Sequence, residues 1–349
     1  MTAAAIFGCQ GLSLTPDERD FFKDVRPWGF ILFKRNVEDP AQVRALTDSL
    51  RELLGRDEAP ILVDQEGGRV QRLGPPHWPR YPSGHAYGQV RTNDPLGARE
   101  LTRLGARLIA HDLRAVGINV DCVPVLDVPQ PGAHAIIGDR AYGDHPDALA
   151  VLGRAAAEGL IAGGVLPVIK HIPGHGRANA DSHEALPVVD ADYETLSKID
   201  FAPFRALSDM PLGMTAHVVY PAVDPHQPAT TSRRAIKTVI RGEIGFDGLL
   251  MTDDLSMKAL SGDFAQRASA ALKAGCDVVL HCNGNMAEMQ AVASGTGKLK
   301  GRARRRAEAA MARLARTPEP LDEPAARARF AEAFGAAALA VAGGPRVGE

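Results

Sequence analysis

The chain has 349 residues, 45% hydrophobic and 23% charged, with a formal net charge of -2 at pH 7. This is an ordinary globular composition, long enough for one large domain or two medium ones. The near-neutral balance gives no reason to expect nucleic acid or an anionic membrane as partner, and no apolar run approaches the roughly 20 residues of a membrane span.

The opening MTAAAIFGCQG has no basic segment and too short an apolar stretch for a signal peptide. The four cysteines (Cys9, Cys122, Cys276 and Cys282) are scattered, with no C-x-x-C pair. A cytoplasmic protein with reduced thiols is the expectation.

Taken in chain order, short apolar runs alternate with amphipathic stretches. The runs AAIFGCQ (3–9), GFILF (29–33) and PILVDQ (60–65) come first, with a helical pattern over 40–54 between the last two. A longer helical pattern (94–117) leads into INVDCVPV (118–125), and another (147–164) into VLPVIKH (165–171). Then follow a helix over 196–209, PLGMTAHV (211–218), GLLMTDD (248–254), a helix over 264–275, and CDVVLHC (276–282). The runs are continuous rather than alternating, as expected of strands buried on both faces. Eight strand–helix units in about 280 residues predict a closed (β/α)8 barrel over residues 1–295. An open doubly wound sheet is the alternative, but no dinucleotide fingerprint follows the first strand. Residues 296–349 are expected to form a helical extension. Its basic tract, 298–316, has no interleaved aromatics and is expected to be a solvated helix.

In such a barrel the chemistry sits at the carboxyl ends of the strands. That rule gathers Asp64, Asp121, Lys170, His171, His217 and Asp253 at one mouth, and loops add Arg72, Arg140, Asp181 and His183. The stretch KHIPGHGRANADSH (170–183) is too rich in glycine and proline for a regular helix, so it is expected to be a loop. Within it, Asp181 two residues before His183 can fix the imidazole tautomer, which would make the pair a general acid/base unit. Gly174 and Gly176 are candidate hinges for loop closure. Of Asp253 and Asp254, one is expected to face the mouth and the other to cap the following turn; alternation alone leaves open which. Arg69 or Arg72 could reach a ligand, and His217 could contact it or support it. Many hydrogen-bonding groups with three cations suit a polyhydroxylated ligand carrying an acidic or amide substituent. A metal site built from His171, His175, His183 and Asp181 is disfavoured, because Pro-Gly separates the first two; no metal and no cofactor are expected.

Taken together, KHIPGHG…DSH, VDQEGGRVQR, IGDRAYG and GFDGLLMTDDLSM resemble the β-N-acetylglucosaminidase branch of glycoside hydrolase family 3. The likeness runs from about residue 3 to about residue 290; the 300–349 tail carries no matching motif. Ile172 stands where the family usually has phenylalanine. The resemblance implies a barrel and a retaining exo-hydrolase, with Asp253 as nucleophile and His183, paired with Asp181, as proton donor and base. It implies that Asp64, Arg72, Arg140, Lys170 and His171 bind the sugar. The implied substrate is a small molecule, GlcNAc linked to anhydro-muramic acid with or without peptide. No nucleic-acid or membrane partner is expected, and a monomer is. The rivals are a family member acting on glucosides, a phosphorylase, a metal-dependent hydrolase and a non-catalytic sugar sensor.

Overall fold

The computed structural model describes residues 1–335 except 181 and 183–185. Eight parallel strands close into a barrel: β1 Ala3–Gly8, β2 Pro27–Leu32, β3 Ile61–Val63, β4 Val120–Asp121, β5 Leu166–Ile172, β6 Leu212–Thr215, β7 Leu249–Asp254 and β8 Val278–His281. Each strand pairs with its sequence neighbours, and β8 returns to β1 through Ala5↔Val279 and Phe7↔His281. All eight predicted runs hold a barrel strand.

The continuous apolar runs follow from two cores divided by the barrel wall. Ile6, Ile31, Leu62, Val120, Leu166, Val168, Leu212, Leu249, Met251, Val278 and Leu280 fill the inside. Their alternates, among them Phe7, Phe30, Ile61, Val63, Ile169, Leu250 and Val279, face the surrounding helices. Period-two alternation therefore persists, with both faces apolar.

The helices Pro40–Leu54, Pro95–Ala115, Pro146–Ala162 and Phe264–Ala274 lie where the periodicity places them. Helix Pro16–Val25 was not foreseen, although Thr15 and Glu18 form a capping box with Pro16 at the first helical position.

The basic tract departs from the solvated helix expected. Helix Gly301–Ala312 exposes Arg302, Arg304 and Arg305 but seats buried Ala307 and Ala310 against the lower end of the inner core. Arg306 joins Asp247 (3.0 Å) and Asp277 (3.1 Å). Leu299 donates its N–H to Thr2 O, so the segment before this helix lies beside the start of β1. Helix Glu323–Phe334 packs beside Pro95–Ala115, with Phe330 wholly buried against Tyr81 and Tyr87.

Candidate active site

The inner alternation continues past the apolar layers and delivers the polar residues. Leu62 leads to Asp64, Val168 to Lys170, and Leu249 and Met251 to Asp253. This parity settles which aspartate of the pair faces inward. Asp253 lines a cavity of about 190 Å³ at the barrel mouth, below the roughly 300–1,000 Å³ common for drug-sized ligands. Asp254 lines its edge and caps the following turn, its Oδ1 accepting from Ser256 N (3.0 Å) and Cys282 N (3.1 Å). The pairing of β5 with β6 slips between Ile169 and Ile172, and both Lys170 and His171 reach the cavity.

Asp64, Arg72, Arg140, Lys170, His171 and Asp253 all line this one space. Lys170 is the hub, 2% exposed, with Nζ 2.9 Å from Asp64 and 2.7 Å from Glu66. Burial alone would lower the ammonium pKa, but the carboxylates of Asp64 and Glu66 hold it above its ordinary value. Burial would likewise raise both acids; instead Lys170 and Arg72 hold Asp64 well below the usual range, and Lys170 with Arg140 brings Glu66 down to about 2. Arg72 meets Asp64 at 2.9 Å and stacks over Phe33. Arg140 forks onto Glu66 through Nε (2.9 Å) and Nη2 (2.8 Å).

The hairpin that carries Arg72 (Gln65–Gly67 with Val70–Gln71) turns at Gly67 and Gly68, both with positive φ. Buried Gln65 holds the hairpin shut, accepting from Arg72 N and Leu73 N and donating to Leu73 O. Arg69 also lines the cavity, but its guanidinium is engaged by the protein. It ties Asp139 (2.8 Å) and the Ala135 and Ile136 carbonyls, fastening the loop that carries Arg140.

His171 Nδ1 lies 2.6 Å from Asp127 Oδ2, and its Nε2 lies 4.0 Å from Asp253 Oδ2. Asp127 also accepts the backbone N–H of His175 (2.6 Å). Burial pushes the Asp253 pKa up, but the imidazoles of His171 and His217 outweigh it and hold the carboxyl below its ordinary value. Asp253 is therefore an anion at neutral pH. Burial, with His171 next to it, lowers His175 to about 4, so its ring is neutral there.

Two candidates lie beneath the cavity rather than on it. Asp121 is wholly buried and accepts Gln65 N (2.9 Å); burial raises its pKa well above normal. His217 is also fully buried, between Thr230 Oγ1 (2.7 Å) and Asp254 O (3.0 Å), beside Asp253. Asp181 and His183 lie outside the described residues. Ser182 lines the cavity and accepts Ala259 N at 3.3 Å. The proposed hinge glycines are close-packing sites instead. A Cβ at Gly176 would come 2.1 Å from Val128 O, and one at Gly174 would come 3.1 Å from Asp200. Backbone bonds Gln130 N to Gly176 O and His134 N to Ala178 O hold this stretch down.

Sequence reasoning missed Glu66 and Asp127. Both follow a strand end by a few residues, so the rule that selected Asp64 and Asp253 also reaches them.

A parallel barrel whose mouth sets an anionic inward carboxylate beside paired cations and acids is an architecture on which glycosidases are built. The model for the glycosyl hydrolase family 3 N-terminal domain matches residues 13–317. A β-hexosaminidase of Bordetella avium is 42% identical over 277 residues, 78% of each chain. The structure of NagZ from Neisseria gonorrhoeae in complex with N-trifluoroacetyl-D-glucosamine superposes with a TM-score of 0.83 at 33% identity, covering 97% of both chains. A family 3 β-N-acetylglucosaminidase from Paenibacillus gives 0.82 at 33% identity, covering 95% of this chain and 67% of that one. The chain belongs to glycoside hydrolase family 3.

Proposed function

We propose that the protein is a retaining exo-β-N-acetylglucosaminidase. The observation that carries this reading is the placement of Asp253, an inward carboxylate with Oδ1 held by Asp254 N (2.8 Å) and Oδ2 across from His171 Nε2. That anchoring fixes the carboxylate orientation and aims Oδ2 at the cavity. Oδ2 attacks C1 of the terminal sugar. The C1–O bond breaks as a glycosyl ester forms, and His183, oriented by Asp181, gives its proton to the departing oxygen. The now neutral imidazole takes a proton from water, which displaces Asp253 from the opposite face, and two inversions leave the anomeric configuration retained. A histidine titrates near neutral pH and so serves in both steps.

Asp64, Lys170 and His171 hold the sugar hydroxyls, and Arg72 and Arg140 orient the acetamido group or a neighbouring hydroxyl. The substrate we favour is GlcNAc linked β-1,4 to anhydro-muramic acid, with or without stem peptide. Its products are free GlcNAc and the anhydromuramyl fragment, and the setting is cytoplasmic peptidoglycan recycling by a monomer. The relatives' names and the aminosugar bound in the neisserial structure support the GlcNAc part of this choice.

Comparing aryl GlcNAc with aryl glucose, with and without phosphate, tests the reading. Phosphate-independent cleavage of aryl GlcNAc supports it; a preference for the glucoside, or dependence on phosphate, contradicts it. Undiminished activity in excess chelator removes the metal-dependent rival. His183→Ala is expected to lose far more activity on poor leaving groups than on activated aryl glycosides; equal losses would count against His183 as proton donor.

A further inference from the structure

We propose that Glu66 is a specificity-determining residue that restricts the cavity to an uncharged terminal sugar. The inference rests on the reading that this space holds one sugar. Four permanent cations line it among the described residues, Lys170, Arg69, Arg72 and Arg140; Arg69 is tied to Asp139 and to backbone carbonyls of the neighbouring loop. Unopposed, they would form an anion site, since clustered guanidinium and ammonium groups at one pocket attract carboxylates and phosphates.

Glu66 cancels that tendency. It is 8% exposed, yet each of its oxygens is committed: Oε1 to Lys170 (2.7 Å) and Arg140 Nη2 (2.8 Å), Oε2 to Arg140 Nε (2.9 Å). Arg140 spends Nη1 on Ile136 O (3.2 Å), so its fork is directed at the protein rather than held out for a ligand anion. Asp64 offsets Arg72 and shares Lys170. Among the described residues, Lys170, Arg72 and Arg140 stand against Asp64, Glu66 and Asp253, three charges of each sign, while the fourth lining cation, Arg69, is paired with Asp139. A neutral sugar fits without disturbing that balance. A carboxylated sugar adds a charge that no unpaired cation among the described lining residues balances, in a cavity where little solvent screens it. Such rejection by an unbalanced charge is specificity through repulsion rather than through added attraction.

Removing the Glu66 charge should release Arg140 and Lys170 toward the ligand. The probes are GlcNAc and its 6-carboxylate analogue, 2-acetamido-2-deoxyglucuronic acid, which differ only in replacing CH2OH with a carboxylate. Binding is read by calorimetry at pH 7, which needs no turnover, on the wild type, Glu66→Gln and the charge-keeping Glu66→Asp. The wild type and Glu66→Asp are expected to prefer GlcNAc, and Glu66→Gln to shift the preference toward the carboxylate by about tenfold or more. Should the amide variant fail to fold, Glu66→Ala removes the same charge and must give the same shift. A wild type that binds the carboxylate as well as GlcNAc overturns the proposal without any variant. An unchanged ratio in a folded Glu66→Gln overturns it too, while leaving the aminosugar reading intact. A wild type that binds neither sugar instead brings down that reading, and this inference with it.

Discussion

Asp127 grips the ring of His171 at 2.6 Å, wholly out of solvent, and so turns the other ring nitrogen toward Asp253. The geometry is that of a buried carboxylate fixing an imidazole tautomer. Burial raises the Asp127 pKa, but His171 more than offsets this and keeps the acid ionised.

Asp127→Asn is expected to cost about 10²-fold in kcat, because an amide no longer dictates which ring nitrogen carries the proton and a displaced ring misplaces the groups around C1. KM should change much less. Steady-state kinetics on aryl GlcNAc measures both; an unaltered kcat would show that His171 needs no such support.

Lys170 is also a structural element. Lys170→Met leaves Asp64 and Glu66 buried beside each other without their shared cation, and is expected to lower unfolding stability by about 3–5 kcal/mol in urea titration at pH 7. Both acids have lowered folded pKa values, so the stability they contribute is present above their unfolded values near 4 and fades as pH falls toward about 2. The gap between wild type and variant should therefore be full at pH 5–7 and shrink below about pH 4. A gap independent of pH would contradict the ion-pair explanation.

How far this arrangement can be read without coordinates varies by level. The strands were legible because both barrel faces are apolar, which turns each strand into an uninterrupted run. The mouth residues were legible because Asp64, Lys170, His171 and Asp253 stand at the carboxyl ends of apolar runs; the parity with inward Met251 that separates Asp253 from Asp254 needed the strand register. Asp127 and Glu66 were harder. Glu66 sits in the short hairpin strand Gln65–Gly67 just past the barrel strand, and Asp127 lies six residues beyond β4, where only the path of the loop brings the side chain back. Gly174 and Gly176 misled for a related reason: a glycine that permits motion and one that admits a neighbouring backbone look the same in sequence. The role of Arg306 was hidden because Asp247 and Asp277 are far away along the chain.

Asp200 gives a second pH test. Burial lifts its carboxyl to about 6 even though Arg177 lies 2.7 Å away. A raised pKa means the folded state binds the proton more tightly, so the contribution is present at low pH and lost as pH rises through about 6. Asp200→Asn lacks that titration. Its Tm relative to wild type should become more favourable between pH 5 and pH 7.5; a constant difference would refute the shift.

At the opposite end of the barrel, Arg306→Ala strips Asp277 Oδ1 of its partner, although Arg241 still holds Oδ2 at 2.7 Å. A loss of about 1–3 kcal/mol in urea unfolding is expected, with KM and kcat unchanged at 25 °C. Lower kcat in a fully folded variant would mean that the lower end of the barrel communicates with the mouth.

The most direct trial of the mechanism is to trap the glycosyl-enzyme with a 2-fluoro or 5-fluoro GlcNAc donor and map the labelled peptide by mass spectrometry. The ester should appear on Asp253, within residues 248–257. A label on any other carboxylate, or a productive enzyme that never accumulates one, would contradict covalent catalysis by Asp253.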